Sequence, residues 1–111
     1  MGYIRHDAIV VTAFDKSHLR AALKKAETLG LPVSEPVESI TNSYVSFLIA
    51  PDGSKEGWDE SRKGDDARDS WKAWANEKWT KGLYCYWVHL SYAGDEKSDT
   101  KIVEQAEMKN G

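Results

Sequence analysis

The sequence is poor in the residues that announce a chemistry. It holds one cysteine, Cys85, in 111 residues, so no internal disulfide framework can form and thiols are too few for a zinc knuckle. Its three histidines, His6, His18 and His89, are scattered without metal-ligand spacing, and no resident cofactor or metal is expected. No apolar run approaches the roughly 20 residues of a membrane-spanning helix. The first residues lack the basic-then-apolar order of a secretory signal, so a cytoplasmic protein is expected. There is no excess of positive charge either: 15 Lys and Arg face 18 Asp and Glu, a net charge of -3. That argues against general duplex binding but not against a small anion held by a few local cations.

Aromatic residues, by contrast, are plentiful, with five Trp and five Tyr. Some of these rings must build a core, but a single domain of this length cannot easily hide them all. There is no internal repeat and no low-complexity run, and residues 1–111 read as one domain.

Taken along the chain, Tyr3 to Phe14 reads as a strand, with the β-branched run Ile9-Val10-Val11 at its centre. Asp15 is a good N-cap for a helix to about Leu29, with Leu19, Ala22, Leu23 and Ala26 on one stripe. Gly30 and Pro32 stop it. Leu31 to Asn42 has no clear period and is long for a connection in a compact domain; a short edge strand fits around Val37–Ile40. Ser43 to Ala50 is a second strand, broken by Pro51-Asp52-Gly53. A second helix is expected from about Asp65 to Trp79, with Ala67, Trp71, Trp74, Ala75 and Lys78 on one stripe and Lys72 facing elsewhere. Leu83 to Ala93 is a third strand, with Tyr84, Tyr86, Val88, Leu90 and Tyr92 on one face and Cys85, Trp87, His89 and Ser91 on the other. Thr100 to Met108 reads as its hairpin partner at an edge. The order β-α-β-α-β-β implies an α+β fold, two helices on one face of a mixed or antiparallel sheet of about four strands. The other face is left open, and its aromatic third strand makes a homodimer or higher oligomer the expectation.

The stretch from Gly53 to Arg62 is richer than a strand-to-helix connection requires. Gly53 and Gly57 permit close backbone approach, Lys55 and Arg62 supply cations, Ser54 and Ser61 hydroxyls, and Trp58 a flat ring on which a base can stack. The combination suits a nucleotide, although the spacing is not that of a phosphate-binding P-loop. The competing reading makes Trp58 a plug at the domain edge. Arg5 and His6, at the start of the first strand, can reach a pocket at the sheet's end, with Asp7 orienting the imidazole of His6. His89-Leu90-Ser91 matches half of a two-histidine phosphoesterase signature, but the second His-x-Ser/Thr copy is missing. Cys85 and His89 lie about 13 Å apart along one strand at about 3.3 Å per residue, too far to act as a pair.

Tyr3-Ile4-Arg5-His6-Asp7-Ala8-Ile9-Val10-Val11-Thr12 and Ala50-Pro51-Asp52-Gly53-Ser54-Lys55-Glu56-Gly57-Trp58-Asp59-Glu60-Ser61 resemble a family of small proteins of tailed bacteriophages. The resemblance implies an accessory protein made inside an infected bacterium. Small phage proteins of this kind are often counter-defence factors, and one class resembles sponges, oligomers that bind nucleotide immune signals without cleaving them. The residues and the resemblance together lead to an expected function: non-catalytic capture of a small nucleotide anion by Arg5, His6, Ser54, Lys55, Trp58, Asp59 and Arg62. Two rivals stand beside it. One is a phosphodiesterase acting through His6 and His89. The other is an interaction module that inhibits a host protein through the aromatic sheet face or an acidic surface.

Overall fold

The computed structural model describes residues 6–53, 59–94 and 100–107. Seven elements follow in chain order: β1 (His6–Ala13), α1 (Lys16–Thr28), β2 (Val37–Glu38), β3 (Val45–Ile49), α2 (Asp59–Thr80), β4 (Tyr86–Tyr92) and β5 (Lys101–Gln105). The strands form one five-stranded sheet in the order β2-β3-β1-β4-β5, and every pairing is antiparallel. The fold is α+β as expected, with a fifth strand where about four were anticipated. Because β3 and β4 both run antiparallel to β1, they are parallel to each other with β1 between them. The α2 crossover joins them, since parallel strands cannot be linked by a tight hairpin.

Local chemistry explains most of the boundaries. The Asp15 carboxylate accepts from Ser17 N–H at 2.8 Å and caps α1. The Ser17 hydroxyl, at 2.6 Å from the same oxygen, then that N–H bond and the nearby His18 hold the carboxyl below its ordinary range. Gly30, at φ 79°, takes the left-handed conformation that glycine adopts without steric cost. The irregular stretch after it is stitched to β3. Ser34 N–H donates to Leu48 O at 2.9 Å, Ala50 N–H to Pro32 O at 2.8 Å, and Ser39 N–H to Tyr44 O at 2.9 Å. These bonds make the stretch a ragged edge of the sheet, not a lid.

Helix α2 departs from expectation. It begins at Asp59, six residues before the Asp65 start that the sequence suggested, so Asp59, Glu60, Ser61 and Arg62 are helical rather than loop. Asp59 and Glu60 in the first turn suit the helix's positive end, and Gly64 is carried inside the helix instead of ending it. Its buried residues are Ser61, Arg68, Trp71, Lys72 and Ala75, a stripe at spacings of three, four and seven. Lys72 therefore faces inward, opposite to the sequence reading.

The core lies between the two helices and one face of the sheet. Ile9, Val11, Ala13, Val45, Phe47, Ile49, Cys85 and Trp87 meet Leu19, Ala22, Ala26, Trp71 and Ala75. Trp71 is its anchor: fully buried, it donates Nε1–H to Ala22 O at 3.0 Å and meets Trp87 edge-on at 5.9 Å. One wide ring thus ties α1, α2 and β4 together, and such a ring carries much of a small core's burial energy.

The alternation within the strands assigns the two sheet faces. His6, Ala8, Val10 and Thr12 of β1 pair across with Tyr92, Leu90, Val88 and Tyr86 of β4; Val10 and Thr12 also pair with Leu48 and Ser46 of β3. Leu90 faces Ile102 of β5. This is the face without helices. Among the described strand residues it carries no Asp, Glu, Lys or Arg, in a chain that is 30% charged.

Cys85 tests the packing. Its thiol is buried and approaches His18 O at 3.4 Å. Burial, and then the Asp15 charge, push its pKa up from 9.0 to about 12. A thiol-specific reagent at neutral to mildly alkaline pH should label the native protein very slowly and the urea-unfolded chain at once, because the thiolate is the reactive form. Above about pH 9 the unfolded chain loses this proton while the folded chain keeps it, so stability should fall as pH rises from there. Fast labelling of the native protein would contradict the packing.

Candidate functional site

The polar groups that the fold buries gather beneath α2, toward the end of the sheet where β1 starts and β4 finishes. Helical spacing puts Arg68 and Lys72 one turn apart on the inner face of α2, 3% and 4% exposed. Strand alternation puts Asp7, His89 and Ser91 on the sheet face below them, with Asp7 opposite Ser91 and Ile9 opposite His89. Glu104 of β5 stands opposite His89.

These groups form a chain. Lys72 Nζ lies 2.9 Å from His89 Nδ1, and His89 Nε2 lies 3.0 Å from Asp7 Oδ1. Lys72 also meets Glu104 at 2.9 Å and Asp69 at 3.4 Å. An ammonium only donates and a carboxylate only accepts, so the charged forms fix the ring tautomer. Lys72 donates to Nδ1, and the Nε2–H of His89 donates to Asp7. Both ring nitrogens are then occupied, and the carboxylates of Glu104 and Asp69 pair with the ammonium by charge. Such a chain has no nitrogen left to take or give a proton to a guest, so its geometry is that of a dock for α2. The Ser91 hydroxyl, fully buried, has no hydrogen-bond partner among the described residues.

A second knot lies one turn nearer the start of α2. The Arg68 guanidinium pairs with Asp65 on its own helix and with Asp52 at 3.6 Å. Gly64 makes room for this: a Cβ added there would stand 2.2 Å from Asp52 Oδ2 and 3.3 Å from Arg68 Nη1. Beside the knot, between the C-terminal end of α1 and the first turns of α2, is a cleft of about 320 Å³ lined by Leu29, Gly30, Leu31, Pro32, Asp52, Glu60, Lys63, Gly64 and Ala67.

The sequence-predicted site residues fare unevenly. Arg5, Ser54, Lys55 and Trp58 lie outside the described residues. Asp59 and Arg62 are both three-quarters exposed and form an ion pair with each other, a surface pair of little energetic weight. His6 packs against Tyr92, with ring centroids 5.6 Å apart, on the face without helices. His6 and His89 therefore point to opposite sides of the sheet and cannot share a substrate. For the same reason Asp7 orients His89, not His6. No group of three or more His, Cys, Asp or Glu among the described residues is placed to hold a metal ion.

The sequence reading singled out neither Arg68 nor Glu104, and it turned Lys72 away from the core. Cations and carboxylates on an amphipathic helix or an edge strand are assigned to solvent by default. The available signal was the run Arg68, Trp71, Lys72, Ala75 at i, i+3, i+4 and i+7, which is as regular as the Ala67-based stripe.

Three substitutions test this arrangement. Gly64→Ala on helix propensity alone should stabilise by about 1 kcal/mol. Here it should instead destabilise by about 1–2 kcal/mol in urea melts, because Asp52 must swing off Arg68. In a double-mutant cycle, Lys72→Met and His89→Leu should each cost about 2–4 kcal/mol and the pair much less than their sum, a coupling of at least about 1 kcal/mol. Additive losses would show that the contact is incidental. In comparisons with known proteins, no family model, no curated protein and no solved structure matches this chain.

Proposed function

We propose that this protein binds a small nucleotide-type anion without transforming it, in the cleft between the end of α1 and the start of α2. The observation that carries the reading is the cleft's position. Asp52 and Glu60, on its wall, stand in the sequence two residues before Ser54 and two after Trp58, and that adjacency in the chain supports the reading. A volume of about 320 Å³ sits at the small end of ligand sites, which run from about 300 to 1,000 Å³. It suits a mononucleotide-sized guest, or one half of a larger one.

Each part has a role in this reading. The apolar wall of Leu29, Leu31, Pro32 and Ala67 takes the flat body of the guest, and Trp58 stacks on the base. Lys63, the cation on the described wall, meets phosphate together with Lys55, and Arg62 stands one position from it. Glu60 accepts from sugar or base N–H and O–H groups. Asp52 is held by Arg68 and keeps the cleft in shape. Capture needs such preorganisation and no nucleophile. The resemblance to tailed-phage proteins supplies the class of guest, a nucleotide immune signal, and the role of a counter-defence protein that withholds it.

A thermal-shift screen of mononucleotides, cyclic dinucleotides and ADP-ribose derivatives tests the reading, followed by boiling the complex and identifying what is released. A true guest at one hundred times its Kd should stabilise by about 2.7 kcal/mol, a rise in Tm of roughly 10 °C, and should be recovered intact. Ala67→Trp, which fills the cleft, and Trp58→Ala should each abolish the shift. Release of cleavage products, or no shift with any nucleotide at millimolar concentration, would overturn it.

A further inference from the structure

Among the described residues the sheet is covered by helices on one side only, and the charged side chains of its strands lie on that covered side. The face under α2 holds Asp7, His89 and, through Glu104 and Lys72, a chain of charges. The uncovered face holds none, yet it is the one that meets water: Val10 at its centre is 38% exposed, Tyr86 45% and Ile102 62%. Half-open antiparallel sheets ordinarily place polar side chains outward. Depletion of charge at the centre with tyrosines toward the margins is the composition of a protein contact, not of a solvated surface.

We propose that this face is the contact surface between two copies of the chain, packed sheet on sheet about a two-fold axis. A second copy is the occupant that the chemistry selects. The face offers no charge for a partner of opposite sign to complement, whereas an uncharged, gently twisted sheet complements itself under two-fold symmetry, and aligned sheets stack about 10 Å apart. The strands β3, β1, β4 and β5 have five, eight, seven and five residues; at about 3.4 Å per residue and about 4.8 Å spacing they give roughly 400 Å² per copy as a flat sheet. Two copies give roughly 800 Å² before side-chain relief, below the roughly 1,200 Å² of standard specific interfaces, which fits a weak dimer with Kd in the micromolar range. The surface lies across the sheet from the cleft lining, so this inference stands independently of the ligand reading.

Sedimentation velocity over about 1 to 200 µM protein brackets a micromolar Kd and tests the proposal. The wild-type mass should rise from one chain to two across the series. Val10→Glu should stay monomeric throughout, and so should Ile102→Lys, which changes a more exposed position and guards against a folding defect in the first variant. Lys24→Glu, on the exposed side of α1, should dimerise like wild type. A wild type that remains monomeric at the highest concentration overturns the proposal. So does a dimer that survives both face variants, as an edge-to-edge pairing through β5 would.

Discussion

The Lys72 ammonium, placed between a helix and a sheet, is the contact on which the arrangement of this protein depends. Burying a cation is expensive unless every donor finds an acceptor. Here His89 accepts a hydrogen bond from the ammonium, and the carboxylates of Glu104 and Asp69 balance its charge. The requirement is directional in a way that the apolar contacts of Trp71 are not. Trp71 presses α2 onto the sheet, and Lys72 decides at which rotation and register the helix comes to rest. Asp7, at the far end of the chain, extends that constraint to the opening of β1, so three strands and a helix are tied through four side chains.

This chain of charges also accounts for what the protein does with its few histidines. His89 is committed on both ring nitrogens, and His6 looks out from the other side of the sheet. A two-histidine mechanism has no common space in which to operate. Cys85 is likewise packed away, its thiol held to about 12. Among the described residues, the surfaces open to a guest include the cleft at the start of α2 and the outer sheet face. Both are binding features, which is why the proposed functions are capture and association.

Much of the architecture was legible in the sequence. Asp15, Gly30 and the Leu19-Ala22-Ala26 stripe mark α1 closely, and the alternation from Tyr84 to Tyr92 assigns both faces of β4 correctly, because capping and period-two patterning are local. The start of α2 was not legible, since Gly64 reads as a breaker until Asp52, twelve residues earlier in the chain, is seen packed against it. Burial of Arg68 and Lys72 was also hidden: beside their own-helix neighbours Asp65 and Asp69, their partners Asp52, His89 and Glu104 come from distant parts of the chain, which no local pattern announces. Of the seven residues first assigned to the site, Arg5, Ser54, Lys55 and Trp58 fall outside the described stretches, while Asp59 and Arg62 satisfy each other and His6 sits on the opposite side of the sheet from the cleft's neighbourhood.

The ring of His89 reports most directly on the central constraint. Nitrogen-15 NMR of the imidazole distinguishes its tautomers, and through-bond correlation identifies which nitrogen carries the proton. The docked arrangement predicts a single Nε2–H tautomer with an unprotonated Nδ1, and an ammonium resonance of Lys72 slowed in exchange beside it. A ring protonated at Nδ1, or one averaging freely between tautomers as in a solvated histidine, would contradict it.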